Sequence, residues 1–251
     1  MDGWLSEVQE RPALYVFCSS MAFRLIHRLL QTLPRPKTVD ADPRKSWKWK
    51  NLSVSLVHSL LTGVWAIFCV HQYPVMVHEI RLSFTPLSYL LVIVSTGYFI
   101  QDVGDIIFSG YARESWEFLL HHAVVIGTFV YAVITSHYVA GAVVALFVEV
   151  NNVFLHSRLL LKLAGVTKDS HFYSINKVLN VATYVSFRLG AQFYLTWYTI
   201  YNYSLLDHAL FFLISLMLMN IMILIYFYRL LRADFFTKHT QQNGVHKFAK
   251  D

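Results

Sequence analysis

Seven long apolar segments constrain the fold of this chain more than any other feature of its sequence. Each approaches or exceeds the length of about 20 residues that a helix needs to cross the hydrocarbon core of a bilayer. The segments cover residues 13–32, 52–71, 86–108, 118–135, 139–161, 174–200 and 206–231. Because a spanning backbone has to satisfy its own hydrogen bonds inside lipid, this pattern predicts an all-α, polytopic membrane bundle of about seven spans.

The composition points in the same direction. Hydrophobic residues make up 56% of the 251 residues and charged residues only 14%, whereas soluble domains contain about 25% charged residues. The first apolar segment is the weakest, because Arg24, His27 and Arg28 interrupt it. A tilted span and an amphipathic helix in the membrane interface both remain open for residues 13–32.

Lys and Arg residues flank the apolar segments very unevenly. If the N-terminus faces outside, nearly all of them fall on the inner side. These are Arg35, Lys37, Arg44, Lys45, Lys48, Lys50, Arg113, Arg158, Lys162, Lys168, Lys177, Arg229, Arg232, Lys238, Lys247 and Lys250. On the outer side fall only Arg11 and Arg81. Because cytosolic loops are enriched in Lys and Arg, the sequence predicts an outside N-terminus and a cytosolic C-terminus.

Polar side chains also occur inside the predicted spans, although a charged group at the centre of a bilayer costs about 2.5–3.5 kcal/mol on insertion scales. Asp102 and Asp105 lie three residues apart, on one face of a helix. With a rise of about 1.5 Å per residue, polar residues from four segments fall in the same inner half of the membrane. They are Asp102, Asp105, His121, His122, Asn152, His156, Asn176 and Asn180. A bundle that turns these residues inward around a polar pocket would keep them from lipid.

His121 and His122 form the most suggestive pair in this predicted pocket. An imidazole can act as a general base or a nucleophile, and a carboxylate such as Asp102 can orient it. Adjacent residues point about 100° apart on a helix, so at most one of the two faces a reacting atom. An interfacial His pair with a structural role only is an equally open interpretation.

Glu149 lies near mid-membrane in the fifth segment, and Arg188 lies on a polar stripe of the sixth. Two interpretations of Glu149 stay open, namely a catalytic role and a buried acid that is protonated or paired with Arg188. A metal held by His121, Asp102 and Glu149 has weak support, because no HxxxH or HxxHH pattern occurs. No metal site is therefore predicted.

Five stretches of the chain share their order and spacing with one known family. They are DPRKSWKWKNLSVSLVHSLLTGVWA, YFIQD, WEFLLHHAVVI, LFVEVNNVFLHSRLLLK and IYFYRLLRADF. Together they resemble the TLC (TRAM–LAG1–CLN8) domain family, and within it most closely the branch of TLC domain-containing proteins 1 and 2. The resemblance covers about residues 45–233. It implies an N-terminal anchor span and basic cytosolic loop in residues 1–44 and a polar cytosolic tail in residues 234–251.

The resemblance implies a TLC-type helical bundle that handles lipids. The best-known members are ceramide synthases, which are acyl-CoA-dependent N-acyltransferases whose motif joins adjacent histidines to a later stretch of the form HDxSDxxLE. By position, His121 and His122 match the adjacent histidines. Glu149 and Asn152 stand where the family has Asp, and Val148 stands where it has His. The loss of these polar groups weighs against ceramide synthesis by this chain.

The closer branch implies control of membrane phospholipid composition and fluidity. It implies a limit on phospholipids with long polyunsaturated chains, at the plasma membrane, with the endoplasmic reticulum as the alternative. The expected partners are membrane phospholipids or fatty acyl chains, and not nucleic acid. No cofactor is expected, although acyl-CoA is a candidate substrate. Whether the protein is an enzyme stays open, since an acyltransferase related to ceramide synthases and a non-catalytic lipid-binding or channel-modulating protein are both alternatives.

Two groups of candidate site residues follow from these considerations. The residues predicted for catalysis are His121, His122, Asp102 and Glu149. The residues predicted for substrate binding are Asp105, Asn152, His156, Asn180 and Arg188.

Overall fold

The computed structural model describes residues 3–167 and 169–236, and no strand occurs among them. The helices are α1 (Gly3–Glu10), α2 (Pro12–Gln31), α3 (Lys37–Asp40), α4 (Pro43–Gln72), α5 (Val75–His78), α6 (Pro86–Phe108), α7 (Trp116–Thr135), α8 (Val139–Ala145), α9 (Val148–Leu163), α10 (His171–Thr183), α11 (Gly190–Tyr201) and α12 (Ala209–Leu231). A π-helical segment, Tyr184–Leu189, joins α10 to α11, and a second, Arg232–Phe236, follows α12. The predicted cytosolic tail from residue 237 onward lies outside the described residues, as do Lys168, Lys238, Lys247 and Lys250.

Local sequence sets the starts of the first three long helices. Pro12, Pro43 and Pro86 occupy the beginnings of α2, α4 and α6, where the missing N–H of proline is no loss. Asp42 caps α4 by accepting hydrogen bonds from two backbone N–H groups, at 2.8 and 3.4 Å. Thr85 caps α6 in a reciprocal capping box. The residues at which these helices begin are therefore determined by the local sequence.

Within residues 3–167 and 169–236, six helices are long and apolar enough to cross a membrane. They are Pro12–Gln31, Pro43–Gln72, Pro86–Phe108, Trp116–Thr135, Val139–Leu163 and Ala209–Asp234. The prediction of an all-α, polytopic membrane bundle is therefore confirmed. The predicted segment 174–200 is also helical, but it is divided into α10, a π-helical segment and α11. The crossing by the N-terminal helix and the total of seven crossings stay predictions.

The loops gather at two ends of the bundle. One end, named here the basic end, carries residues 32–42, 109–115, 164–167 and 169–170. There the Thr38 hydroxyl donates a hydrogen bond to the Leu163 carbonyl at 3.1 Å. This contact joins the first loop of the basic end to the end of α9.

The other end, named the far end, carries residues 73–85, 136–138 and 202–208. There Arg81 donates to the Asp207 carboxylate at 2.5 Å, and the Tyr138 hydroxyl donates to the Asp207 carbonyl at 2.8 Å. Burial raises the pKa of the Tyr138 hydroxyl to about 12, so this group stays a neutral donor at physiological pH. Which of the two ends faces the cytosol stays a prediction.

Helix α6 lies at the centre of the bundle. In its most apolar stretch 67% of the residues are buried, which is the largest fraction among the six helices. Helix α6 packs against α2, α4, α7 and α8. Gly97 permits the approach of α2, because a Cβ atom there would lie 2.6 Å from Cβ of Ser19 and 2.7 Å from the Val16 carbonyl oxygen. Gly63 does the same for α4 and α9, since its Cβ would lie 3.0 Å from the backbone nitrogen of Val150.

A pair of Gly→Ala substitutions tests this close approach. Alanine favours a helix interior by about 1 kcal/mol over glycine, and a Cβ at Gly127 on α7 would meet no heavy atom within 4 Å. Gly97→Ala is expected to lower the midpoint of thermal unfolding in detergent, because overpacking costs about 1–3 kcal/mol. Gly127→Ala is expected to leave the midpoint unchanged or to raise it. Equal effects of the two substitutions would contradict the packing of α2 on α6.

Candidate functional site

Asp102 and His122 form the centre of a buried polar cluster. Asp102 lies on α6 and His122 on α7, and the two residues are 5% and 7% exposed. Nε2 of His122 lies 3.0 Å from Oδ2 of Asp102. The side-chain amide of Asn51, on α4, donates to Oδ1 of the same carboxylate at 2.6 Å. One carboxylate therefore joins three helices.

Both ring nitrogens of His122 face acceptors. Nδ1 lies 2.6 Å from the carbonyl oxygen of Phe118, one turn earlier on α7. Because a carbonyl can only accept, Nδ1 carries a proton, and a second proton lies between Nε2 and Oδ2 of Asp102. Asp102 thus orients His122, but His122 has no free lone pair while both bonds are intact. In this arrangement neither ring nitrogen is free to accept a proton, and the catalytic role of His122 stays a prediction.

Asp105 lies one turn nearer the basic end and is 3% exposed. Its carboxylate accepts hydrogen bonds from the Trp47 indole at 3.0 Å and from Asn51 at 3.3 Å. Arg24 and His27, on α2, approach its other oxygen at 3.5 and 3.6 Å. These contacts tie α2 and the start of α4 to α6. The role of Asp105 in substrate binding stays a prediction.

Glu149, in the first turn of α9, is 3% exposed and is held by α4. Ser59 donates to its carboxylate at 2.6 Å, and Nδ1 of His58 lies 3.6 Å from the same oxygen. The His58 ring stacks on Tyr98 with centroids 3.8 Å apart. Within the described residues Glu149 makes no ion pair with Arg188. The interpretation of these two groups as a buried pair is therefore wrong, because Ser59 and His58 are the partners of Glu149, whereas Arg188 binds Asn151 and Asn152.

Arg188 lies in the π-helical segment between α10 and α11 and is 8% exposed. Its Nε donates to Oδ1 of Asn151 at 3.0 Å, and its Nη2 donates to Oδ1 of Asn152. The guanidinium carbon lies 5.1 Å from the centre of the Tyr184 ring. The Asn151 amide in turn donates to Oδ1 of Asn180 at 3.0 Å. A buried cation is thus held by neutral groups from α9 and from its own helix.

His121 and His156 are the least constrained of the predicted residues. The His121 ring lies 5.4 Å from the His122 ring, between centroids, and makes no hydrogen bond within the described part of the chain. His121 and His156 both interact electrostatically with Arg188 and Glu149. Nδ1 of His156 is buried and has no hydrogen-bond partner among the described residues. Of the adjacent pair His121 and His122, His121 is therefore the one whose ring nitrogens are free of hydrogen bonds to the described residues.

An apolar cavity of about 110 Å³ lies between α7, α8, α11 and α12, on the far-end side of this cluster. Val125, Phe129, Ala145, Gln192, Leu195 and Leu216 are among its lining residues. Val125 follows His121 by four residues on α7, and Gln192 follows Arg188 by four residues on the facing helix. Because four residues make about one helical turn, His121 and Arg188 lie one turn below the lining, toward the basic end.

Sequence reasoning did not identify the residues of α4 that hold the acids of α6 and α9. Asn51, Ser55, His58, Ser59 and Thr62 follow one another at steps of one to four residues, and the last four are 0–4% exposed. Ser, Thr, Asn and His at helical spacing in an apolar segment form a polar stripe, which marks a face turned away from lipid. That stripe is the signal that could have located them.

Two acids of the site each lie beside one histidine. Asp102 pairs with His122, and Glu149 pairs with His58. Within residues 3–167 and 169–236, no group of three or more His, Cys, Asp or Glu side chains is placed to hold a metal ion. The expectation that the protein needs no metal or other cofactor stays a prediction.

Comparison with known proteins finds one family. The sequence model of the TRAM–LAG1–CLN8 domain, or TLC domain, matches residues 48–232. TLC domain-containing protein 1 of Homo sapiens is 42% identical over 221 residues, which are 88% of this chain and 89% of that protein. The protein of the same name in Gallus gallus is 43% identical over 85% of this chain and 84% of its own length. TLC domain-containing protein 2 of Danio rerio is 41% identical over 85% of this chain and 86% of its own length.

A double-mutant cycle tests the pairing of Asp102 with His122. Asp102→Ala and His122→Ala are each expected to lower the free energy of unfolding by about 3–5 kcal/mol, because each leaves a buried group without its partner. The double variant is expected to cost less than the sum of the two, with a coupling energy of about 1–3 kcal/mol. Unfolding of the purified protein in a single detergent gives all four values.

The exposed ion pair of Arg44 and Glu114, whose side chains are 54% and 50% exposed, is the control cycle. Surface ion pairs contribute little because water screens them, so no measurable coupling is expected there. Additive costs at Asp102 and His122 would contradict the shared proton between the two side chains.

Proposed function

The chain belongs to the TLC domain family of multi-pass membrane proteins, and from that premise we propose that it controls the acyl-chain composition of membrane phospholipids. Its role is to limit phospholipids that carry long polyunsaturated chains, and thereby to adjust membrane fluidity. TLC domain proteins are membrane proteins linked to lipid metabolism, which supports this assignment. The plasma membrane is the proposed location.

A single observation carries the proposal, namely an apolar cavity that adjoins a buried polar cluster. The cavity supplies a site for a hydrocarbon chain, since pockets of this kind are lined mainly by apolar side chains with a few polar groups that fix orientation. His121 and Arg188 supply those polar groups, one turn from the cavity lining. An acyl chain with its polar end at the cluster would therefore have a matching environment at both ends.

The buried ionic groups of the cluster support a functional role more than a structural one. Replacing a buried ion pair by apolar side chains of similar volume is often neutral or stabilising by about 1–4 kcal/mol. A bundle selected for stability alone would therefore gain little from Asp102 and His122. Buried ionisable groups near a cavity are typical of sites that bind or transform a ligand.

If the protein is an enzyme, the reaction proposed for it is acyl transfer. The available ring of His121 favours it, because an imidazole with a free nitrogen can take the proton of an acceptor hydroxyl or amine as that acceptor attacks an acyl thioester. The acyl group then passes from the thioester sulfur to the acceptor, and the thiol leaves. In this scheme Asp102 and His122 are positioning residues that hold the first turns of α7 against α6.

A second candidate belongs to a different class, a protein that binds lipid without transforming it. The engagement of Glu149 by Ser59 and His58 favours this function, because a carboxylate committed to two partners is not free to assist a reaction. Asn152 is likewise occupied by Arg188. In this case the cavity would be required and His121 would be dispensable.

Phospholipid profiling in cells that lack the protein tests the proposal and separates the two forms. Loss of the protein is expected to raise phospholipids with long polyunsaturated chains, and the wild type is expected to restore the profile. His121→Ala is expected to lose nearly all of this effect if transfer occurs, since a general base contributes about 10²–10⁴-fold to a rate. Ala145→Phe, which fills the cavity, is expected to abolish the effect in both forms.

His78→Ala is the matched control, because His78 is an exposed histidine at the far end. Each variant is compared at equal abundance and location. Restoration by His121→Ala together with failure of Ala145→Phe would assign the non-catalytic function. An unchanged profile after loss of the protein would reject the proposed function as a whole.

A further inference from the structure

Arg188 is a buried cation without a direct counter-ion. A guanidinium stays charged at every physiological pH, yet the partners of Arg188 are the side-chain oxygens of Asn151 and Asn152 and the ring of Tyr184. Among the described residues no carboxylate lies within ion-pair distance of it. Glu149 interacts with Asn152, so an amide stands between the two charges.

The three buried acids of the site already have partners other than Arg188. Asp102 shares a proton with His122, Asp105 lies among Trp47, Asn51 and Arg24, and Glu149 is bound by Ser59. A desolvated charge is costly unless an opposite charge or a full set of hydrogen bonds offsets the lost hydration. Arg188 uses Nε and Nη2 for its two asparagine bonds, which leaves further N–H groups of its five donors for a ligand.

The position of Arg188 relates it to the cavity. It lies one turn from the cavity-lining Gln192 and interacts electrostatically with His121, which lies one turn from Val125. The π-helical segment that carries Arg188 is of a kind that occurs frequently at functional sites. An anionic group beside Arg188 would thus lie about one helical turn from the apolar space of the cavity, on its basic-end side.

The size of the cavity matches part of one hydrocarbon chain. A volume of about 110 Å³ holds roughly seven to eleven water-sized groups, which is enough for a segment of a single acyl chain. A carboxylate also matches a guanidinium in shape, because two parallel N–H···O bonds can form between them. A single-chain carboxylate therefore satisfies both the charge and the volume.

We propose that Arg188 binds the carboxylate of a long-chain fatty acid whose tail enters the cavity between α7, α8, α11 and α12. This inference rests on the proposed function, to which it adds the class of ligand. It places the carboxylate of an ionised fatty acid near His121, with which Arg188 interacts electrostatically. The asparagines of α9 orient the guanidinium toward that ligand.

Binding of oleate to the purified full-length protein in nanodiscs of neutral lipid tests the inference. Oleyl alcohol has the same chain without the charge and is expected to bind at least about tenfold more weakly than oleate. Arg188→Gln is expected to weaken oleate binding by at least about tenfold and to leave oleyl alcohol binding unchanged. Arg188→Lys, which retains the charge but not the bidentate geometry, is expected to fall between the two.

Arg229→Gln is the matched control, since Arg229 is an exposed arginine on α12 that pairs with Glu117. The comparison of oleate with oleyl alcohol on the unaltered protein needs no variant, so it decides the question even if Arg188→Gln does not fold. Equal binding of oleate and oleyl alcohol would overturn the inference. Displacement of oleate by equimolar dioleoyl phosphatidic acid would assign the site to a two-chain lipid instead and would also overturn it.

Failure here is distinguishable from failure of the proposed function. If the phospholipid profile of cells depends on the protein but oleate shows no preference over oleyl alcohol, the inference about Arg188 is wrong and the proposed function stands. If oleate binds through Arg188 but the profile does not depend on the protein, the site exists and the proposed function is wrong.

Discussion

The need to satisfy a carboxylate inside a membrane organises this structure. Asp102 cannot be left to lipid, and its two oxygens are met by Nε2 of His122 at 3.0 Å and by the amide of Asn51 at 2.6 Å. These bonds join α6 to α7 and α4. The same requirement applies to Asp105, which contacts His27 of α2, and to Glu149 of α9, which accepts a hydrogen bond from Ser59 of α4. The acids are therefore the points where the helices of the bundle are joined.

This distribution of partners leaves two groups next to the cavity, His121 and Arg188, uncommitted to an acid. Both ring nitrogens of His122 have partners, namely the Phe118 carbonyl and the Asp102 carboxylate. His121 makes no hydrogen bond among the described residues. Arg188 is oriented by neutral asparagines and lacks an acid of its own. Both uncommitted groups lie one turn from the lining of the apolar cavity. The structure thus separates the polar groups that hold the fold together from those that could meet a ligand.

Much of this arrangement could be predicted from the sequence, because span direction converts residue number into depth. That reasoning brings Asp102 and the histidine pair to one level, and the structure joins Asp102 to His122. It does not predict Asn51, His58 or Ser59 as partners, since depth alone does not give rotation about a helix axis. Nor does it predict the partners of Arg188. A π-helical segment holds about one extra residue per turn, so it changes the direction in which the following side chains point about the helix axis. No pattern in the sequence YVSFRL predicts this segment.

Photolabelling tests the central claim most directly, namely that an acyl chain occupies the cavity with its polar end at the cluster. A fatty acid with a photoreactive group near its methyl end would be bound to the full-length protein in nanodiscs, activated, and mapped by peptide mass spectrometry. The account predicts labels on cavity-lining residues of α7 and α12, such as Phe129 and Leu216, which excess oleate removes. Labels spread over the lipid-facing sides of α2 and α12, unaffected by excess oleate, would contradict it.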